Sequence, residues 1–463
     1  MDCLDKWIAA ASDFAWGPVM LVLLCGTHVF LTIRLRFIQR YLGRGIKISF
    51  GTKSEGAGDI SQFGALMTAM AATVGAGNIV GVATAISMGG PGAVLWMWLT
   101  GVFGIATKYS EALLAVHYRI TTPSGQMAGG PMYVLERGMK CRWLGIIFAV
   151  MTAIAAFGIG NMVQANSITT LIHETVALPP GHALGGMILG VPAIKWLSGI
   201  IITVATAMVI LGGIRWIARV CEGLVPFMAV FYVIGCIILL VMKYETIPDA
   251  IALIFKSAFT GHAAAGGFIG AGMKEAIRYG VARGLFSNES GLGSAPIVAA
   301  AAQTRNPVRQ ALVSSTGTFW DTVVICALTG IVLVNGGQWT HGLQGVALTK
   351  ATFQAFPVIG APVLMVGLLT FVFSTILGWG YYGEKAVEYL LGTPAIRYYR
   401  WLWVAAVMVG SVAKVKSVWD FADFSNACMA VPNLISLIAL SGVVVSQTRR
   451  YLWTKDPSEN LVE

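Results

Sequence analysis

The sequence predicts an all-α membrane protein with eleven transmembrane helices. Hydrophobic residues make up 56% of the 463 residues and charged residues only 11%, whereas a soluble domain carries about 25% charged residues. Mean hydropathy is +0.75. Apolar runs also recur at close to the roughly 20 residues that cross a bilayer as a helix. These runs begin near Trp16, Phe63, Gly92, Leu144, Ile194, Pro226, Ala263, Val308, Pro362, Arg400 and Asn426.

The composition also excludes other classes of protein. The net charge of +10 comes from basic residues spread between apolar runs without a continuous basic stripe, so no nucleic-acid partner is expected. The seven cysteines fall singly along the chain, without the spacing of a zinc site, and we interpret them as small packing residues. No cleavable signal peptide is expected, because the stretch before the first apolar run is close to neutral.

The distribution of charge predicts the topology. Lys and Arg are concentrated in alternate connections, among them 34–53, 119–142 and 274–309, and are sparse in the others. Because basic loops remain in the cytoplasm, this pattern predicts an external amino terminus and, with eleven spans, a cytoplasmic carboxyl terminus. The mixed apolar and polar stretches 246–260 and 348–356 fall in external connections and are expected to form short surface helices.

The second apolar run is interrupted in its middle by the sequence Thr-Val-Gly-Ala-Gly-Asn at 73–78. An unpaired backbone group costs several kcal/mol in hydrocarbon, so a broken helix persists at this depth only where it lines a protected cavity. The helix that restarts would present the N–H groups of Ala76, Gly77 and Asn78 to a carboxylate. The interruption therefore predicts a solute carrier.

A cation site is predicted beside this interruption. The carbonyl groups of Ala71 and Val74 end the first half-helix and would face a cation. Ser374 and Thr375, in the ninth run, offer adjacent hydroxyls that suit a small alkali cation; alternatively, each bonds the carbonyl four residues earlier. Gln164, in the fourth run, either meets a polar group of the substrate or makes an ordinary interhelical hydrogen bond.

Internal symmetry is a further expectation. If the first run is an accessory helix, the other ten divide into two sets of five, as in carriers built from inverted repeats. The resulting segments are an amino-terminal part, two repeats and a tail, at 1–61, 62–242, 243–447 and 448–463. The glycine-rich run 266–273 would be the second broken helix, with small-residue helix packing as the alternative. Its residues expected to line the substrate site are Gly270, Ala271 and Gly272.

Two motifs carry a resemblance to a known family. They are Thr-Val-Gly-Ala-Gly-Asn-Ile at 73–79 and Arg-Gly-Leu-Phe-Ser-Asn-Glu-Ser-Gly-Leu-Gly-Ser-Ala-Pro at 283–296. Over essentially its whole length the chain resembles the alanine or glycine:cation symporter family, which is similar to the LeuT-type amino-acid carriers. The resemblance implies a LeuT-type 5+5 inverted repeat behind one accessory helix, in the cytoplasmic (inner) membrane of a prokaryote.

The resemblance also implies a set of site residues. The amides of Ala76 and Gly77 would bind the substrate carboxylate, and Asn78 would line the substrate or a second cation. Phe268 and Trp379 are the aromatic residues nearest the proposed sites in sequence, and they either limit the size of the pocket or are ordinary apolar residues. The full substrate set is Thr73, Gly75, Ala76, Gly77, Asn78, Gln164, Phe268, Gly270, Ala271, Gly272 and Trp379. The implied sodium ligands are Ala71, Val74, Phe371, Ser374 and Thr375.

The expected function is sodium-coupled symport of alanine or glycine into the cell, with the lipid bilayer and a small neutral amino acid as partners and sodium as the co-transported ion. No enzyme is expected, since no nucleotide-binding loop or zinc-protease helix occurs in the sequence. A proton-coupled carrier and an ion channel are the alternatives. The stretch 226–242 contains no charged residue. No basic side chain there could take the place of a cation, so sodium is favoured over protons. A channel is disfavoured, because it would show a symmetrically repeated filter.

Three further expectations concern charged segments. Asp321 lies in the eighth run and is either a gating or coupling carboxylate or, if the helix begins late, a shallow residue. Lys108 and Glu111 are three residues apart and are expected to pair. The basic residues around 286–295 place that stretch at the cytoplasmic face, as an inner gate or a turn away from the substrate.

Overall fold

A computed structural model describes residues 16–51, 56–176, 183–260, 272–413 and 416–454, without the side chains of 183 and 416–423. Nearly all regular structure in these ranges is helical. Two short antiparallel hairpins interrupt it, β1 (Ile120–Thr121) with β2 (Met127–Ala128) and β3 (Met187–Ile188) with β4 (Val191–Pro192).

The helices follow one another in an order close to that of the apolar runs. The first ten are α1 (Pro18–Arg34), α2 (Leu42–Ser49), α3 (Gln62–Thr73), α4 (Val82–Gly89), α5 (Ala93–His117), α6 (Pro131–Tyr133), α7 (Arg142–Phe157), α8 (Val163–Thr175), α9 (Ala193–Ile210) and α10 (Ile214–Met242). The others are α11 (Ile247–Phe259), α12 (Met273–Asn288), α13 (Pro296–Ala299), α14 (Pro307–Thr318), α15 (Ala327–Gly336), α16 (Gly345–Gln354), α17 (Gly360–Leu391), α18 (Ala395–Val412), α19 (Lys416–Ala439) and α20 (Ser441–Tyr451).

Five continuous helical stretches in the described ranges are long and apolar enough to cross a membrane: Arg142–Thr175 (α7 with α8), Ala193–Ile210, Ile214–Met242, Pro307–Gly336 (α14 with α15) and Gly360–Leu391. The number rises to eight if each of three bent helix pairs counts as one span. Large apolar side chains are exposed on their outer faces, including Met208 at 70% and Val230 at 57%. Such continuous apolar surfaces are typical of contact with lipid rather than water. The chain is thus an integral membrane protein, while the count of eleven spans and the 5+5 repeat remain predictions.

The two predicted surface helices are confirmed as helices. The stretch 246–260 contains α11, and 348–356 overlaps α16. α11 packs beside the start of α5, where the Trp96 indole N–H donates to the Ala258 carbonyl at 3.1 Å.

The bundle has two ends that serve as reference points. At the first, the Arg119 guanidinium donates to the carbonyl groups of Ala57, Ala300 and Ala302; we call this the Arg119 end. At the second, Gly89 at the end of α4 lies against Glu275 at the start of α12; we call this the Gly89 end. α3 and α4 together therefore cross from the Arg119 end to the Gly89 end.

The position of α12 corrects the expected topology of 274–309. α12 runs parallel to α5, because Gly280 packs against Trp96, Gly284 against Met97 and, farther along, Ser290 against Gly104. Lys274 therefore lies at the Gly89 end. Arg309 lies at the Arg119 end, where its Nε donates to Gln62. A single cytoplasmic loop over 274–309 is wrong, because the chain crosses the bundle between these two residues.

The predicted second break falls mostly beyond what can be described. Residues 266–271 lie outside the described residues, and with them Phe268, Gly270 and Ala271. Gly272 immediately precedes α12 at the Gly89 end. The division of the chain at 1–61, 62–242, 243–447 and 448–463 remains a prediction.

Candidate functional site

The first broken helix is present where the two glycines predict it. α3 ends at Thr73 and the helix resumes at Gly77, with a bend of 51° between the two parts. Val74 between them has extended backbone angles. The Gly75 N–H donates to Asn78 Oδ1 at 2.8 Å, and the Ala76 N–H donates to Gln164 Oε1 at 3.2 Å. Side chains thus replace the carbonyl groups that would accept these bonds in a regular helix.

Four oxygen atoms gather beside this break. The Ser374 hydroxyl oxygen lies 2.9 Å from the Phe371 carbonyl oxygen and 3.5 Å from the Val74 carbonyl oxygen. The Thr375 hydroxyl oxygen lies 2.9 Å from the first and 3.3 Å from the second. We call these four atoms the oxygen cluster. Its bonds to Phe371 follow the usual helical pattern, but the contacts to Val74 join residues 300 positions apart.

Close helix packing creates the oxygen cluster. A Cβ atom on Gly75 would collide with the Thr375 hydroxyl, and one on Gly378 would lie 2.7 Å from the Ala72 Cβ. Glycine at both positions therefore lets α17 approach α3 closely enough for the hydroxyls to reach the break. Ala71 is fully buried in the last turn of α3, and the Gly75 N–H that would bond its carbonyl in a regular helix is held by Asn78.

Met228 completes this side of the cluster and was not anticipated from the sequence. It lies on α10, and its sulfur is 3.4 Å from the Ser374 hydroxyl oxygen. α10 includes the uncharged stretch 226–242, in which a basic residue would have replaced the cation. A neutral thioether occupies that place and adds no charge, and a hard cation would not select it as a ligand.

Asp321 lies deep in the bundle, and the shallow alternative is wrong. It is fully buried, and one carboxylate oxygen accepts a 2.7 Å bond from Asn78 Nδ2. The other accepts from the hydroxyls of Ser287 at 2.8 Å and Thr322 at 2.6 Å. The carboxylate therefore ties the first break to the end of α12.

A second interruption follows α12, within the long motif. Glu289 ends the helix with φ 56°, and Gly291 and Gly293 have φ of 98° and 84° before α13 begins. Glu111 of α5 stabilises this unwound segment, since its Oε1 accepts from the N–H groups of both glycines at 2.9 and 3.1 Å. The same oxygen accepts from Asn433 Nδ2 at 2.7 Å.

The expectation that 286–295 lies away from the first break is wrong. A Cβ atom on Gly77 would lie 2.9 Å from the Phe286 ring and 3.5 Å from the Ser287 Cα. The charge rule misplaced this segment, because it treated the basic residues before the motif as a loop when they are part of a helix.

Three π-helical turns converge on the site. Gly77–Gly81 contains Asn78, Gly158–Met162 precedes Gln164, and Phe319–Cys326 contains Asp321. π-Helical turns are rare and are frequent at functional sites. Each here redirects a polar side chain towards the broken segments.

The predicted site residues are partly brought together. Eight of them lie together around the first break, joined by hydrogen bonds and by the continuous backbone of 74–78: Val74, Gly75, Ala76, Asn78, Gln164, Phe371, Ser374 and Thr375. Trp379 packs on Gly160 of the fourth run, and Thr73 bonds the Met70 carbonyl at 3.3 Å. Gly272 is separated from the second interruption by the whole of α12, about 24 Å for a helix of that length.

Four features of the site were not predicted from the sequence: Met228, Phe286, Ser287 and the role of Glu111. For Phe286 and Ser287 the signal was the long motif itself, which combines polar residues with several glycines. The motif showed that the segment was unusual, but not what it contacts.

Comparisons with known proteins agree with this architecture. The family model described as the sodium:alanine symporter family matches residues 1–462. The "Sodium/alanine symporter AgcS" of Methanococcus maripaludis is 48% identical over 455 residues, covering 96% of both chains. The "Probable sodium/glutamine symporter GlnT" of Bacillus subtilis is 36% identical over 464 residues, covering 99% of this chain and 93% of the relative.

Among solved structures, the crystal structure of MhsT in complex with L-phenylalanine matches with a TM-score of 0.54 at 14% identity, covering 86% of this chain and 91% of that one. At this identity the likeness concerns the fold alone, and it agrees with the LeuT-type expectation. The family match over nearly the whole chain establishes a transporter rather than an enzyme: the chain belongs to the sodium:alanine symporter family.

Proposed function

We propose that this chain couples sodium entry to the uptake of alanine or glycine by alternating access. The observation that carries the proposal is the oxygen cluster, formed by Val74, Phe371, Ser374 and Thr375 next to backbone amides held by side chains. Carbonyl and hydroxyl oxygens are hard ligands that suit an alkali cation. Alanine is favoured over glutamine because the sodium/alanine symporter is the more similar of the two named relatives.

Coupling follows from the shared backbone. The Val74 carbonyl oxygen belongs to the oxygen cluster, and two residues later the Ala76 N–H donates a hydrogen bond to Gln164. A substrate carboxylate would take the place of the Gln164 oxygen and leave that side chain free to meet the substrate. Sodium bound to Val74 would fix the amides that the carboxylate needs, so each ligand strengthens the binding of the other.

Sodium is the preferred coupling ion. Among the described residues no lysine bonds Ser374 or Thr375; their α10 neighbour is Met228. Both oxygens of Asp321 accept hydrogen bonds from side chains, one from Asn78 and the other from Ser287 and Thr322. These contacts support a positioning role for Asp321, which joins the first break to α12.

For the architecture, we infer eleven spans in a 5+5 arrangement, with the second break at 289–295 instead of 266–273. The Arg119 end is then cytoplasmic. Arg36 stacks on Trp453 at 4.9 Å, which supports the carboxyl terminus and the basic loop after α1 on one side of the inner membrane. The other end of α1 would place the amino terminus outside.

Transport by purified protein in liposomes tests the function. We expect labelled alanine to accumulate against its gradient when sodium is higher outside, and not when potassium replaces sodium. Accumulation driven by a pH gradient without sodium would instead support a proton-coupled carrier. Equilibration without accumulation under either gradient would support a channel. Counterflow against unlabelled glycine, serine and glutamine would then rank the substrates.

Trp379 is expected to limit substrate size. It is 1% exposed, and it packs against Gly160, four residues before Gln164. Trp379→Phe removes part of this bulk, and because one methylene is worth about 1–3 kcal/mol in a pocket, leucine should compete with labelled alanine about tenfold better. Trp401→Phe, at a tryptophan that is 56% exposed, is the matched control. An unchanged leucine-to-alanine ratio in folded Trp379→Phe would show that this residue does not line the pocket.

A further inference from the structure

A buried ammonium group lies between the two broken segments. Lys108 is in the middle of α5 and is 3% exposed, and its Nζ has no hydrogen-bond partner within the described part of the chain. A charged side chain within a membrane bundle is costly and is typically retained for function.

The expected pairing of Lys108 with Glu111 is wrong. No ion pair within 4.0 Å joins them in the described structure, although Lys108 interacts electrostatically at longer range with Glu111, Glu289 and Asp321. The cause is the second interruption, because the amides of Gly291 and Gly293 hold the Glu111 carboxylate. Lys108 thus balances buried negative charge without a direct bond, and its donors stay available.

Lys108 also faces a crevice. The crevice is narrow, about 10 Å³, which is room for roughly one water molecule. Its lining includes Met70, Thr73, Asn288, Pro296 and Ser314 together with Lys108.

The position of the crevice suggests a route. Thr73 is the last residue of α3 before the first break, and Asn288 is the last residue of α12 before the second. Met70 lies one turn closer to the Arg119 end. The crevice therefore begins at both breaks and extends towards the Arg119 end, along the seam that would widen if α3 moved away from α5 and α14.

We propose that Lys108 binds the carboxylate of the amino-acid substrate as it leaves the Ala76 and Gly77 amides for the Arg119 end. The inference rests on the proposed function and adds a substrate contact on the inward side. An ammonium with free donors is complementary to a carboxylate. As the crevice widens, the substrate carboxylate would move from the backbone amides to the Lys108 ammonium. The carboxylate charge would then stay paired in the low-dielectric interior.

The test compares the two membrane faces. In inside-out and right-side-out vesicles, labelled alanine exchange gives the KM at the cytoplasmic and external faces. We expect Lys108→Met to raise the cytoplasmic KM about tenfold and to change the external KM less than twofold. Lys108→Arg should stay within threefold of wild type at both faces. Lys47→Met, which removes an exposed lysine after α1, controls for the loss of one positive charge.

Several outcomes would overturn the inference. An unchanged cytoplasmic KM in folded Lys108→Met, or an equal rise at both faces, would mean that Lys108 only balances the nearby carboxylates. If Lys108→Met does not fold, Lys108→Gln is measured in the same way, with thermal unfolding as the check. Wild-type sodium-dependent uptake in the same vesicles reports separately on the proposed function. Its absence overturns both, whereas its presence with an unchanged cytoplasmic KM overturns only the role of Lys108.

Discussion

Replacing Ser374 and Thr375 together with alanine should raise the sodium concentration for half-maximal alanine uptake at least tenfold. The two hydroxyls supply half of the oxygen cluster, at 2.9 Å from the Phe371 carbonyl and 3.3 to 3.5 Å from the Val74 carbonyl. A bond to a charged group is worth about 1.5–3 kcal/mol, so the loss of two ligands leaves sodium weakly held. Uptake by purified protein over a range of sodium concentrations measures the effect.

Thr370→Ala is the matched control on the same helix. The Thr370 hydroxyl bonds the Val366 and Gly367 carbonyl groups of its own helix, so its removal should leave the sodium dependence unchanged. Thermal unfolding must show that the double variant is folded, because the Val74 and Phe371 carbonyls lose both of their hydroxyl partners together. Sodium dependence like that of wild type in the double variant would exclude the oxygen cluster as the cation site.

The first break was predictable from the sequence because its cause is local. Two glycines interrupt an apolar run at 73–78, and a helix in hydrocarbon cannot leave its backbone groups unpaired without a protected cavity. The side chains that bond those backbone groups were harder to predict. Asn78 is three residues from Gly75 and follows from the motif, whereas Gln164 is 88 residues from Ala76, and no periodicity encodes that distance.

The interruption at 289–295 shows where the charge rule failed. Lys274 and Arg278 made 274–309 look like one cytoplasmic loop, yet both lie in the first turns of α12. The charge rule describes loops beside spans, and it misleads where a helix carries basic residues near its own end. The interruption at 289–295 depends on Glu111 of a distant helix, and the sequence shows only the glycines that allow the positive φ angles.

The oxygen cluster was only partly predictable from the sequence. Adjacent hydroxyls in an apolar run indicate little by themselves, since most such groups bond their own helix. Their distance from Val74 is set by helix packing, which requires glycine at positions 75 and 378. The family resemblance supplied the pairing, and the packing of α17 on α3 gives its physical reason.

Gly77→Val should reduce alanine binding at least a hundredfold while leaving a folded protein. A Cβ at this position lies 2.9 Å from the Phe286 ring, and a β-branched side chain also restricts the backbone that must present its N–H to a carboxylate. Overpacking of this kind costs about 1–3 kcal/mol of stability, so thermal unfolding must accompany the binding measurement.

The same substitution at Gly81 separates a local effect from a general one. Gly81 lies in the same π-helical turn, but no atom beyond its own helix lies within 4 Å of a Cβ placed there. Gly81→Val should therefore bind alanine with an affinity within about threefold of wild type.

Phe286→Leu combined with Gly77→Ala should recover part of the affinity that Gly77→Ala loses alone, because the shorter side chain at 286 relieves the contact. Normal alanine affinity in folded Gly77→Val would exclude the Gly77 amide from the carboxylate site, and failure of Phe286→Leu to restore binding would mean that the backbone, rather than the ring, sets the requirement for glycine.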